Sequence, residues 1–388
     1  MKLSRSKSRN IDIILISAAT VTCFLGVLLI FSATRGWELW QKYIITQSFG
    51  IVIGIVGIFL ISKIDIEEFG NNWKYLYGIN VAILLLVLFV GTGGNETGTV
   101  GWIKLGPVYV QPSEISKVLL ILTLSKQLAV VDNEIDKIKS LFKLFIHCSV
   151  PILLVLLQPD TGTAVVLMFI FVVLLFVAGI NKWYLLGACG VCSIVAPLMY
   201  MFMLKPYQKN RILTFLNPEL SPTGSGYQVI QSKIAIGSGQ IFGRGLFLGP
   251  QTQSGYVPAK HTDFIFSVIG EELGFIGCVI IISLIFFIIM RCMYIAINIS
   301  DSDSDKFSRY TCVGISAMLF FHAFENIGMT IGIIPVTGIP LPFLSYGGTS
   351  IMTYMIALGI VSNISVKRRR FMSKLRIDLL RNSGEGYL

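Results

Sequence analysis

The sequence predicts an all-α polytopic integral membrane protein with about ten transmembrane helices and a large extracytoplasmic loop between helices seven and eight. Three observations predict it. Hydrophobic residues make up 54% of the 388 residues and charged residues only 13%, about half the charged share usual in soluble domains. The mean hydropathy is +0.75. The apolar residues come as long runs of Leu, Ile, Val and Phe, not as the short alternating segments of a membrane barrel. A soluble fold could not hide this much apolar surface. A cytosolic globular enzyme, a disordered chain and, despite a formal charge of +10, a nucleic-acid binder are therefore excluded.

Crossing a bilayer core takes about 20 mostly apolar residues. Ten segments qualify, roughly 11–32, 44–62, 75–91, 112–130, 145–158, 161–180, 184–204, 263–290, 308–330 and 347–365. The first follows Lys2, Arg5, Lys7 and Arg9. Its apolar run exceeds a signal-peptide core, so it is read as an uncleaved span. With ten spans both termini share a side. That side receives most of the 31 Lys and Arg residues, including Lys367-Arg368-Arg369-Arg370, which marks it as cytoplasmic. The chain reads as one membrane domain over 1–388, with an extracytoplasmic loop at 205–262 and a basic cytoplasmic tail at 366–388. Cys189 and Cys192 lie one helical turn apart in an apolar run and are read as space-filling. His147, His261 and His322 show no metal-ligand spacing.

The 205–262 loop is far longer than a connector requires, and long ordered loops tend to be functional. It carries Lys205, Lys209 and Arg211, then Tyr227 to Ile234 with helical apolar spacing, then Gly237, Gly239, Gly243, Gly245 and Gly249. The helical stretch is read as lying at the membrane interface. The glycines match neither a Walker loop nor a dinucleotide fingerprint. They are read as backbone folded closely around a substrate, against the alternative of a flexible surface loop. The loop ends at Lys260-His261-Thr262-Asp263, which puts Asp263 at the outer water–lipid boundary. A second outer loop near 92–111 carries Trp102, and a third near 331–347 holds Pro335, Pro340 and Pro342, which prevent a regular helix.

Six ionisable residues fall in or at the ends of spans: Glu114, Lys117, Asp160, Glu271, Glu272 and Glu325. Facing lipid near the bilayer centre, they would together cost on the order of 15–20 kcal/mol. They must instead lie near the interface or face protein or a wet cavity. Glu114 and Lys117, three apart on one helix face, favour an ion pair. Asp263 and Glu271 stand about 80° apart around a helix and roughly 12 Å apart in depth, so they are expected to line a common cavity, with Glu272 pointing elsewhere. No partner is evident for Glu325.

These segments, in this order, closely resemble the SEDS family (shape, elongation, division and sporulation) of bacterial cell-wall proteins. The matching stretches are Val110-Gln111-Pro112-Ser113-Glu114-Ile115-Ser116-Lys117, Gln158-Pro159-Asp160-Thr161-Gly162-Thr163, Gln231-Ser232-Lys233-Ile234-Ala235-Ile236-Gly237-Ser238-Gly239, His261-Thr262-Asp263-Phe264-Ile265-Phe266, Gly270-Glu271-Glu272-Leu273-Gly274 and the run from Gly338 to Gly348. Gln231-Ser232-Lys233 is more similar to the elongation branch (RodA) than to the division branch (FtsW). The resemblance implies a peptidoglycan glycosyltransferase that polymerises lipid II in the bacterial cytoplasmic membrane, with a class B penicillin-binding protein as partner. It places the family's essential aspartate on Asp263, its outer-loop tryptophan on Trp102, its acid and lysine of the fourth helix on Glu114 and Lys117, and its proline-linked aspartate on Asp160. Many relatives carry an acid where this chain has Ala259.

The residues suit that chemistry. Nucleotide sugars and ATP are absent outside the cell, so synthesis there needs a donor activated beforehand, such as a sugar linked through diphosphate to a polyprenyl lipid. Diphosphate leaves readily, so one carboxylate suffices as base, with cations steadying the departing charge. Asp263 is the expected base. Lys117, Arg211, Lys233 and Arg244 are the expected diphosphate contacts. Lys260 and His261 would lower the pKa of Asp263, and desolvation would raise it. No cofactor is firmly expected, and a divalent cation, Mg²⁺ or Mn²⁺, at the diphosphate stays open. Two other readings fit the same residues: a flippase for the lipid-linked precursor, and a non-catalytic scaffold for the penicillin-binding protein.

Overall fold

The computed structural model describes residues 11–93, 100–106, 108–202, 206–220, 224–299 and 305–384. The basic start at Lys2 to Arg9 and the loop residue Lys205 lie outside them. Each of the ten anticipated spans is one helix: α1 (Ile13–Thr34), α2 (Trp40–Ile61), α4 (Trp73–Val90), α5 (Pro112–Val131), α6 (Ile138–Leu157), α7 (Thr161–Val177), α8 (Lys182–Phe202), α12 (Ile265–Ile297), α13 (Lys306–Thr330) and α14 (Gly348–Gly384). Seven of these, α1, α2, α4, α6, α12, α13 and the first part of α14, are long and apolar enough to cross a membrane. A short α3 (Ile66–Asn71) joins α2 to α4. α14 runs on as one helix well past the anticipated span, through the basic segment to Gly384.

Apolar side chains are buried deepest where helices cross centrally. The span windows of α13 and α14 are 78% and 89% buried, against 17% for α4, which sits at the rim. α14 lies closest to α2, and glycines permit it. A Cβ on Gly54 would stand 2.6 Å from the Met355 side chain, and one on Gly50 2.9 Å from the Gly348 carbonyl. Small residues spaced by four let helix backbones approach in lipid.

The bundle has two distinct ends. At one, Asp12 caps α1, its amide donating to Ser362 Oγ (2.7 Å) and its carboxylate meeting Arg291 (3.0 Å) and Arg369 (3.3 Å). There Lys367 reaches Asp65 and Glu67, and Asn363 donates to the Ile61 and Ile64 carbonyls. The described portions of both chain ends thus meet on one face, as an even number of spans requires. The other end gathers the loops after α1, α4, α6 and α13 together with the long loop before α12.

Those loops are more structured than their sequence suggested. The 92–111 loop holds an antiparallel hairpin, β1 (Ile103–Leu105) with β2 (Val108–Val110), with Ile103 opposite Val110. The long loop contains α9 (Pro206–Leu216), α10 (Ser225–Ser238) and a single turn, α11 (Pro250–Gln253). α10 covers the anticipated Tyr227–Ile234 helix. It buries Val229, Ser232 and Ala235, and Ser232 Oγ donates to the Thr330 carbonyl at the end of α13 (2.8 Å).

Candidate active site

The site is organised by a break in α12. Gly274 has φ 67° and ψ −165°, a backbone region open in practice only to glycine. The break leaves peptide groups of α12 without helical partners, and buried groups of this kind must find others. The glycine-rich segment 239–249 supplies them. The amides of Phe275 and Ile276 donate to the carbonyls of Gln240 (2.8 Å) and Ile241 (3.1 Å). The amides of Arg244 and Gly245 donate to the carbonyls of Glu271 (2.9 Å) and Glu272 (3.0 Å). The approach is close: a Cβ on Gly239 would stand 1.9 Å from the Gly270 oxygen, and one on Gly243 2.2 Å from that of Glu272. The glycines therefore let this backbone fold around a broken helix, where the sequence had suggested a substrate.

The two glutamates finish the docking. Glu271, fully buried, accepts from the amides of Gln251 (2.7 Å) and Thr252 (2.8 Å) and from the Thr252 hydroxyl (2.5 Å). Glu272, 1% exposed, accepts from Ser32 of α1 (2.6 Å), the Phe247 amide (3.1 Å) and Gln253 Nε2 (3.1 Å). Arg35, after α1, donates to the Phe247 carbonyl (2.8 Å) and to Gln253 (3.1 Å). Lys260 is buried over the Trp37 ring and donates to the Thr252 carbonyl. Burial holds its ammonium below the ordinary lysine range, and the charges of Glu271 and Glu272 pull it back up.

Asp263 follows directly and is half-buried. The Ala259 carbonyl receives the amides of Thr262 and Phe264, forming the turn that carries it. The loop before α14 fixes this turn from the other side. Tyr346 N donates to the His261 carbonyl (2.8 Å), Ser345 Oγ to that of Thr262 (2.6 Å), and Asn326 of α13 to that of Asp263 (2.8 Å). The Asp263 carboxylate lies against Gly338, 3.6 Å from where a Cβ would stand there. His261 sits among Trp37, Tyr43 and Tyr346, with ring centroids 4.9, 5.0 and 5.6 Å away. Burial first, and Lys260 second, push its pKa down to about 4, so its ring is neutral at pH 7.

Behind this loop lies a buried charged network. Lys117, 1% exposed, meets Glu114 (2.7 Å) and the Nε2 of His322 (3.0 Å), whose Nδ1 meets the hydroxyl of Tyr354. Glu325 lies beside Thr337, attracted by the charge of Lys117 and repelled by that of Asp160, and its Oε2 has no hydrogen-bond partner among the described residues. Asp160 caps α7, accepting from Thr163 N (3.0 Å) and Oγ1 (2.8 Å), and reaches Gln111 (3.3 Å) and Ser113 (3.4 Å). Gly162 packs on the Thr337 carbonyl and Ile339. The segment 337–339 therefore touches Asp263, Glu325 and the α7 start at once.

Other anticipated residues are more dispersed. Trp102 pairs through its backbone with Thr92 at the base of the hairpin. Lys233, exposed on α10, packs across Gly332. Arg244 is exposed in the docked segment, and Arg211 lies on α9 with its side chain outside the described residues. His322 and Tyr354 were missed. His322 stands one turn before Glu325 on α13, and that spacing was the available signal. Among the described residues no three His, Cys, Asp or Glu side chains converge to hold a metal ion.

Comparison with known proteins fits this architecture. Residues 12–370 match the FtsW/RodA/SpoVE family model, described as a cell cycle protein. The probable peptidoglycan glycosyltransferase FtsW of Trichlorobacter lovleyi is 35% identical over 363 residues, 91% of this chain and 93% of that protein. The peptidoglycan glycosyltransferase MrdB of Escherichia coli K12 is 35% identical over 356 residues, covering 90% and 94%. A solved chain from work on polymerization and crosslinking by a peptidoglycan synthase complex superposes with TM-score 0.76 at 32% identity, covering 93% of this chain and 98% of that one. The rod shape determining protein RodA of Thermus thermophilus gives 0.67 at 27%, covering 92% and 96%. The bundle, the ordered motifs and a match over nearly the whole length establish that the chain belongs to the SEDS family of FtsW, RodA and SpoVE proteins.

Proposed function

We propose that this peptidoglycan glycosyltransferase polymerises lipid II on the outer face of the bacterial cytoplasmic membrane, with Asp263 as its base. The observation that carries the reading is a contrast in exposure. Glu114, Glu271, Glu272 and Glu325 are 2%, 0%, 1% and 4% exposed, whereas Asp263 is only half-buried at the loop-bearing end. Asp160, also partly exposed at that end, caps α7 with both oxygens. A base must reach its substrate.

Asp263 takes the proton of the acceptor sugar's 4-hydroxyl as that oxygen attacks the donor's anomeric carbon. The bond from that carbon to the diphosphate oxygen breaks, the polyprenyl diphosphate leaves with the electron pair, and the configuration inverts. Lys233 and Arg244, both exposed, and Arg211 are the proposed diphosphate contacts. Lys117 is buried against Glu114 and His322 and supports the site from behind. The excess of Lys and Arg at the terminus-bearing end supports a cytoplasmic location for both termini. A class B penicillin-binding protein is the proposed partner that cross-links the product. Gln231-Ser232-Lys233 supports an elongation role.

The test incubates detergent-purified protein with labelled lipid II, with and without the partner, in Mg²⁺, Mn²⁺ or EDTA. Asp263→Asn is expected to lower kcat by about 10²–10⁴-fold, the usual contribution of a general base. Polymer formation at the normal rate by that variant would sink the assignment. Movement of lipid II across vesicles without polymer would instead identify a flippase.

A further inference from the structure

We infer that Lys260, Glu271 and Thr252 form a positioning unit for Asp263, acting through the docked loop without touching substrate. The inference rests on Asp263 being the base. The chain from 239 to 253 takes two anchors from the start of α12, beside those that α13 and the loop before α14 give the Asp263 turn. Its glycine-rich half is held by the break in α12, through four backbone hydrogen bonds at 2.8–3.1 Å. Its second half hangs from Glu271, which gathers the amides of Gln251 and Thr252 and the Thr252 hydroxyl.

Lys260 closes the circuit. Its ammonium donates to the carbonyl of Thr252, whose amide and hydroxyl bind Glu271. Its charge also interacts with those of Glu271 and Glu272. Lys260 stands three residues before Asp263, and the intervening turn closes on the Ala259 carbonyl. A shift of α11 is therefore passed to the catalytic carboxylate through few bonds. The glutamates belong to the rigid start of α12, so the loop takes its register from the same helix that begins just after Asp263. Placement errors near 1 Å cost catalysis heavily while leaving binding less affected.

The charge count makes the unit testable. The Lys260 ammonium interacts with the charges of two buried carboxylates, Glu271 and Glu272. Removing Lys260 takes that positive charge from both acids, and neutralising Glu271 in the same chain offsets part of the loss. Lys260→Met is expected to lower kcat for lipid II polymerisation at least tenfold with KM within twofold. Glu271→Gln added to it is expected to recover a substantial part of the loss. Thr252→Val keeps the backbone amide and removes only the hydroxyl. It is expected to lower kcat severalfold at unchanged KM, and it serves where Lys260→Met does not yield monodisperse protein.

The split between kcat and KM gives a readout beyond folding. Strictly multiplicative losses in the double variant, or a change confined to KM, would each overturn the positioning role. An Asp263→Asn protein with normal activity would instead overturn the assignment of the base, which separates the two failures.

Discussion

At the end of the bundle that carries the chain termini, Lys367 meets Asp65 and Glu67 with side chains 44%, 53% and 54% exposed. At the loop-bearing end, Lys117 and Glu114 pair at 1% and 2% exposure, and Glu271 and Glu272 are buried against backbone amides. Asp12 is the exception at the first end, buried at 1% between Arg291, Ser365 and Arg369. Exposed pairs are screened by water and salt and contribute little. Buried acids are costly whenever a partner is lost. One end is thus a charged surface suited to fixing orientation in the membrane, and the other holds loops in a single geometry.

The largest expected effect tests the buried side of that contrast. Lys117→Met leaves Glu114 buried without its cation and is expected to cost about 3–5 kcal/mol, read as a fall in the unfolding temperature in detergent. A change below 1 kcal/mol would show that the pair is not sealed from water as its exposure implies.

A middle-sized effect comes from His261. Its folded pKa of about 4 lies below the ordinary 6.5. As the pH falls below about 6.5 the unfolded chain takes up a proton that the folded ring refuses until about 4, so stability is lost across that window. His261→Gln is expected to flatten the dependence by on the order of 1–2 kcal/mol. An unchanged slope in thermal unfolding between pH 7 and 4 would assign the dependence to other groups.

The smallest effect belongs to the terminus-bearing face. Lys367→Ala is expected to lower stability by only about 0.2–1 kcal/mol, less still in high salt. A loss as large as that of Lys117→Met would erase the distinction between the two ends.

Much of the fold was legible because lipid imposes a one-dimensional rule. Runs such as 11–32 and 75–91 must be helices, since backbone polar groups have no other partners in hydrocarbon. The pairing of Glu114 with Lys117 was legible for a similar reason, being local on one helix face. The common cavity expected for Asp263 and Glu271 was derived from ideal helix geometry. Asp263 lies in the turn before α12 and Glu271 faces the docked loop. The short strands of the 92–111 loop were overlooked, since three-residue strands leave almost no periodicity.

By itself the sequence determined the ten long helices and the shared side of the two chain ends, because apolar length and charge bias act segment by segment. Only the tertiary structure decided that Gly274 breaks α12, that the glycine-rich run fills the break, and that His322, Tyr354 and Thr337 complete the charged network. Those outcomes depend on which peptide groups and side chains meet across distant parts of the chain, and no local pattern encodes such meetings.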